Sequence, residues 1–140
     1  MRDGLLTSGN IMASLDTNCL LRWLLGDDPS QAEIVQRVLD SGESLAVHDI
    51  AIIEICFVLE RHYGAPRAAI ADSVRLIMAQ AVIVMDRSRW SSILDDYLAH
   101  PKLSAVDLFL VHQAKDFHEL PLFTFDRKLA NQIDGAELLR

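Results

Sequence analysis

Short apolar runs alternate along the chain with longer segments whose apolar residues recur every three to four positions. The short runs are typical of buried β-strands, and the longer spacing is typical of helices that pack one face on a core. The predicted strands are residues 11–16, 45–47, 82–84, 122–124 and 137–139. The predicted helices are residues 17–25, 30–39, 50–63, 66–80, 88–98 and 104–118.

This alternation predicts an α/β fold, a three-layer domain with a central, mainly parallel sheet flanked by helices. Strands joined by helical crossovers pair in parallel, because each crossover returns the chain to the same edge of the sheet. Ligands bind beyond the carboxyl ends of such strands. The rule draws attention to Asp16, which ends the first strand, and to Asp126, two residues after Thr124.

The chain of 140 residues, 51% of them hydrophobic, is long enough to bury one core. We expect one domain over residues 12–140, with residues 1–11 as a flexible tail or a stretch upstream of a start at Met12. Thirteen basic and 20 acidic residues give a net charge of −7, so the chain lacks the positive field that draws most nucleic-acid binders to phosphate. A nucleic-acid substrate would need a bound cation or local arginines.

The N-terminal sequence and the cysteine pattern together predict the cellular compartment of the protein. Residues 1–10 lack the basic start and apolar core of a signal peptide, and no apolar run reaches the roughly 18 residues of a membrane span. Cys19 and Cys56 stand alone, which predicts two small buried hydrophobes in a reducing compartment. We therefore expect a cytoplasmic protein with no membrane association.

Four acidic residues are each tied to an apolar segment: Asp16, Glu54, Asp107 and Asp126. An isolated charge in an apolar run is costly to bury unless it is paired or binds a cation. Glu54 lies a full turn inside its apolar helix, and its one local base, Arg61, is two turns away. Several acids without matching bases indicate a bound metal, and Mg²⁺ prefers carboxylate oxygens.

The other three acids also have ordinary structural interpretations. Asp16 is placed to cap the helix that starts at the next residue. Asp107 is placed as the acidic member of a capping box begun by Ser104, and Asp126 as the cap of the turn that follows it. Taken singly, capping is the favoured interpretation of Asp107 and Asp126. Only the four acids together favour catalysis.

The ordered set of motifs resembles the PIN domain family, and specifically its VapC-type toxins. The motifs are Leu15-Asp16-Thr17-Asn18, Glu54 within the apolar helix, Ser104-Ala105-Val106-Asp107-Leu108 and Thr124-Phe125-Asp126-Arg127-Lys128-Leu129. The resemblance implies a PIN-like sheet and a Mg²⁺-dependent endoribonuclease, with Mn²⁺ as the alternative ion. It implies that the four acids are catalytic and bind metal, and that Asn18 and Thr124 support them.

The resemblance also implies partners. They are an RNA substrate, a second copy of the chain in a homodimer, and a cognate VapB-type antitoxin that blocks the site in a hetero-oligomer. The apolar helices 50–63 and 66–80 carry more large apolar residues than packing on a sheet needs, which favours a dimer or antitoxin surface.

Two other functions stay open. One is a metal-dependent phosphatase or phospho-acceptor domain, although Asp16-Thr17-Asn18 lacks the second aspartate of an Asp-x-Asp-x-Thr loop. The other is a catalytically silent PIN-like interaction module.

Overall fold

The apolar pattern folds into seven helices and five strands within residues 11–140, the part of the chain that the computed structural model describes. In chain order they are β1 (Ile11–Ser14), α1 (Thr17–Leu25), α2 (Pro29–Leu39), β2 (Ser44–Ala46), α3 (Asp49–Arg61), α4 (Arg67–Met78), β3 (Ile83–Val84), α5 (Arg87–Ala99), α6 (Ala105–Asp116), β4 (Leu122–Thr124), α7 (Arg127–Gln132) and β5 (Ala136–Leu138). The α/β class and the parallel pairing are confirmed.

The six predicted helices and five predicted strands are present, with ends shifted by one or two residues at most. The seventh helix, α7, lies where the sequence indicated only a capped turn. Of the predicted tail, residues 1–10 lie outside the described residues, whereas Ile11 belongs to β1 and pairs with Ser44.

The chain divides into two compact units, and the strands that the pattern placed in one sheet hydrogen-bond as two sheets, one in each unit. Within the described residues, the first unit comprises 11–64 and 72–85. Its three strands pair in parallel in the order β1-β2-β3. The central strand and the residue after it are buried at Leu45, Ala46 and Val47.

Helices α1, α2 and α3 and the second half of α4 complete the first unit. Its core is made of aliphatic side chains at the helical spacing of the sequence pattern: Leu20, Leu21, Val35, Leu39, Ile52, Ile55, Leu59, Val74 and Ile77. Burying such side chains contributes roughly 1.5–3 kcal/mol each. The outcome is a sheet edge at which β1 and β2 end side by side.

The second unit comprises residues 65–71 and 86–140, with the first turn of α4, helices α5 to α7 and the parallel pair β4-β5. Its core contains Trp90, Ile93, Leu94, Leu103, Leu108, Val111, Leu129 and Ile133. The Arg67 guanidinium donates to the carbonyl oxygens of Tyr97, at 2.8 Å, and Leu103, and lies 3.9 Å from the centre of the Tyr97 ring. No helix within residues 11–140 is both long and apolar enough to cross a membrane.

Candidate active site

Asp16 follows β1 directly and begins α1, so the end of a strand and the start of a helix both determine its position. Its Oδ1 accepts the backbone N–H of Cys19 at 2.8 Å, which makes Asp16 the N-cap of α1. The hydrogen bond from that N–H, aided by the Cys19 side chain and opposed by slight burial, lowers the pKa of Asp16. The carboxylate is therefore ionised at neutral pH, as a metal ligand must be.

Glu54 lies on the exposed side of α3, and the prediction that its charge is buried in an apolar run is wrong. Ile55 and Cys56 point into the core, whereas Glu54 and Phe57 face solvent, because successive helical residues are rotated by about 100°. Glu54 Oε1 accepts a hydrogen bond from Thr17 Oγ1 at 2.5 Å. This contact joins the first residue of α1 to the middle of α3, 37 residues further along the chain.

Asp16 and Glu54 line one pocket of about 420 Å³ in the first unit, together with Thr17, His48 and Cys19. Two carboxylates thus line one pocket at the carboxyl end of β1. Ligands of parallel sheets are expected to bind at this end of the strands. The hydrogen bonds to Asp16 Oδ1 and Glu54 Oε1 fix the orientation of both groups.

His48 lines the pocket but belongs to none of the four sequence motifs, so the sequence did not single it out. It follows β2 and is the N-cap residue of α3, with no side-chain capping bond. His48 is exposed and is the one basic side chain among the residues that line the pocket. His48 follows the carboxyl end of β2, the strand adjacent to β1. The expectation that ligands bind at the carboxyl ends of the strands, which drew attention to Asp16, therefore applies to His48 as well.

Cys19 differs from the prediction of a buried hydrophobe, whereas Cys56 is buried as expected. Cys19 is half-buried and lines the pocket beside Asp16. Partial burial, together with the hydrogen bond and charge of Asp16, raises the pKa of the Cys19 thiol. The thiol of the protein without a bound ion is therefore protonated at neutral pH.

Asp107 and Asp126 belong to the second unit, where both lie at helix starts as the capping interpretation predicts. Ser104 Oγ accepts the backbone N–H of Asp107 at 3.1 Å, which is one half of a capping box. Asp126 Oδ1 accepts the backbone N–H groups of Lys128 at 2.9 Å and Leu129 at 3.2 Å. Both aspartates are half-buried.

The two expected supporting residues make different contacts. Thr124 Oγ1 accepts the backbone N–H of Asp126 at 2.9 Å, so it orients the turn that carries this aspartate. Asn18 is exposed and lines a separate pocket of about 250 Å³ with Arg22. The hydroxyl that holds the carboxylate of Glu54 belongs to Thr17, one residue before Asn18.

The donor set of the first pocket fits a hard divalent cation. Mg²⁺ in proteins is commonly held by one or two carboxylates together with water and substrate phosphate. Asp16 and Glu54 supply two carboxylates in one cavity. Within residues 11–140, no group of three or more His, Cys, Asp and Glu side chains is arranged to hold an ion.

The family model of the PIN domain matches residues 13–134. The chain belongs to the PIN domain family. PIN domains are generally nucleases, and they typically depend on divalent metal ions. The match includes the positions of all four acids, and no curated protein matches the chain.

Proposed function

We propose that this PIN domain is a metal-dependent endoribonuclease, the toxin of a type II toxin–antitoxin module of the VapBC kind, acting on RNA in the cytoplasm. The observation that carries the proposal is the pocket in which Asp16 and Glu54 meet at the end of β1, in a chain of a nuclease family. Asp107 and Asp126, in the same match, are proposed as the further acids of the site.

The proposed ion is Mg²⁺, or Mn²⁺ in its place, held by Asp16 and Glu54 with help from Asp107 and Asp126. When bound, such an ion lowers the pKa of a water molecule and offsets the charge of the scissile phosphate. Groups of the chain itself orient the acids of the proposed site. The N–H of Cys19 holds Asp16 ionised, and the hydroxyl of Thr17 holds Glu54 in place. Thr124 positions the turn of Asp126.

The proposed partners are a second copy of the chain and a VapB-type antitoxin. Helix α3 leaves Ile50 64% and Phe57 51% exposed, and Tyr63 just beyond its end is 50% exposed. Large apolar side chains exposed along one helix are typical of a protein contact surface. Because Ile50 also lines the pocket of Asp16 and Glu54, an antitoxin segment on α3 would reach the site.

The decisive experiment is RNA cleavage by the purified protein, freed of any antitoxin, with Mg²⁺ or Mn²⁺ and with a chelator. We expect cleavage that stops on chelation and leaves 5′-phosphate and 3′-hydroxyl ends. Asp16→Asn should lower the rate by at least about 100-fold, because it removes a charge that organises the transition state. Asparagine is chosen because it is also a good N-cap, so α1 keeps its start.

Asp95→Asn is the matched control, because Asp95 is an exposed acid of α5 outside the pocket. It should cleave RNA at the wild-type rate. Full activity of Asp16→Asn, or cleavage that persists in chelator, would refute the metal-dependent site. RNA binding without cleavage by wild-type protein would favour the silent interaction module.

A further inference from the structure

Two phenylalanines that bracket Thr124 are exposed to solvent in the second unit. Phe125 is 78% exposed and Phe123 is 57% exposed. Exposure alternates from Leu122 to Asp126, so the two rings lie on the solvent side of β4 and its continuation. Burying a phenylalanine side chain contributes roughly 1.5–3 kcal/mol to folding, and the fold forgoes that gain at both positions. The core therefore does not explain these rings.

Two basic residues follow directly and are equally unexplained by folding. Arg127 and Lys128 are exposed, and neither side chain forms an ion pair with another group in the described residues. Both lie in the first turn of α7. A helix N-terminus carries partial positive charge, so cations in that turn do not gain from the helix dipole. Arg89, by contrast, is paired with Asp116 at 2.7 Å.

We propose that Phe123, Phe125, Arg127 and Lys128 form a binding surface for single-stranded RNA. Aromatic rings supply faces on which unpaired bases stack, and adjacent cations contact the backbone phosphates. The segment from Phe125 to Lys128 spans at most about 11 Å of chain. The inference rests on the proposed ribonuclease function, because Asp126 lies within this segment and the surface would hold RNA beside it.

The size and charge of this surface favour RNA over a second copy of the chain. A phenylalanine buries at most roughly 150–250 Å², so two rings fall short of the roughly 800 Å² per partner of a stable protein interface. A symmetric contact centred here would also bring Arg127 and Lys128 near their own copies. RNA supplies both the flat apolar faces of its bases and a negative charge that complements Arg127 and Lys128. These two cations lie side by side in a chain whose net charge is −7.

The test measures RNA binding separately from cleavage. A short fluorescein-labelled single-stranded RNA of mixed sequence is titrated with full-length protein in chelator, and binding is read by fluorescence anisotropy. We expect Phe125→Ala to weaken binding by about tenfold, as loss of one stacked base does. Phe125→Trp should restore binding, and RNA should quench the fluorescence of this variant more than that of wild type.

The controls come from the same unit. Phe117→Ala removes another exposed ring, 56% exposed, and should leave RNA affinity unchanged. The double variant Arg127→Gln/Lys128→Gln should weaken binding and flatten its dependence on salt, whereas Lys102→Gln, at another exposed lysine, should not. Thermal unfolding of each variant shows that the fold is intact. A duplex of the same sequence should bind less tightly, since its bases are not free to stack.

The outcomes distinguish failure of the RNA-binding surface from failure of the proposed ribonuclease activity. Equal affinity of Phe125→Ala and wild type, or no RNA binding by wild type in chelator, overturns the RNA-binding surface even if wild type cleaves RNA. Weaker binding by Phe125→Ala supports the surface even if no cleavage occurs, and the proposed ribonuclease activity then fails alone. Loss of a dimer in Phe125→Ala with unchanged RNA affinity would assign the two rings to a copy of the chain instead.

Discussion

At the residue scale, Glu54 is an exposed acid whose substitution separates a structural role from a role in metal binding. Its side chain is exposed, and Thr17 is its hydrogen-bond donor. We expect Glu54→Gln to change the free energy of unfolding in chelator by less than about 0.5 kcal/mol, as at other exposed positions. In excess Mg²⁺ the wild type should gain about 1.4 kcal/mol at ten times Kd, and Glu54→Gln should gain less.

Thermal unfolding of both proteins in chelator and in Mg²⁺ measures the two effects. Glu60→Gln is the matched control, because Glu60 is an exposed acid of the same helix outside the pocket, and it should keep the full Mg²⁺ gain. A Glu54→Gln protein that is clearly less stable in chelator and keeps its Mg²⁺ gain would remove Glu54 from the metal site.

At the element scale, Arg89 joins α5 and α6 in the second unit. Its side chain is 9% exposed and pairs with Asp116 at 2.7 Å and Asp86 at 3.2 Å. The guanidinium also lies 6.0 Å from the centre of the Phe109 ring. We expect Arg89→Gln to lower the free energy of unfolding by about 1–2 kcal/mol, because charged hydrogen bonds are lost while the half-exposed aspartates remain hydrated.

Urea denaturation compares this variant with Arg75→Gln. The Arg75–Asp72 pair is 3.8 Å long, with side chains 46% and 79% exposed, so its loss should cost less than about 0.5 kcal/mol. Equal losses in the two variants would show that the contacts of Arg89 do not hold the two helices together.

At the scale of the whole molecule, the exposed apolar side chains of α3 predict association. Phe57→Glu places a charge at a 51% exposed apolar position of α3. Sedimentation equilibrium should show a dimer for wild type and a shift towards monomer for Phe57→Glu, which should also bind the antitoxin less tightly. Leu98→Glu, at a 38% exposed position of α5, should leave association unchanged. A wild type that is monomeric at high concentration and does not bind the antitoxin would refute both proposed contacts.

Within residues 11–140, the sequence by itself determined the five strands, six of the seven helices, the caps and the family. Strand and helix periods are local, so each run reports its own conformation wherever it packs. Asp16, Ser104 and Asp126 cap helices through hydrogen bonds to groups two or three residues away, which short-range spacing predicts. The order of the motifs pointed to the PIN domain family, and that family is confirmed.

Only the tertiary structure decided which side chains meet and which face water. The apolar run around Glu54 does not show which side of α3 packs on the core, because that depends on segments far away in the sequence. The contact of Thr17 with Glu54, the place of His48 in their pocket and the division of the strands into two sheets all depend on long-range pairing. Periodicity carries no information about such pairing, because it records the direction of each side chain relative to its own element and not the partner that this element packs against.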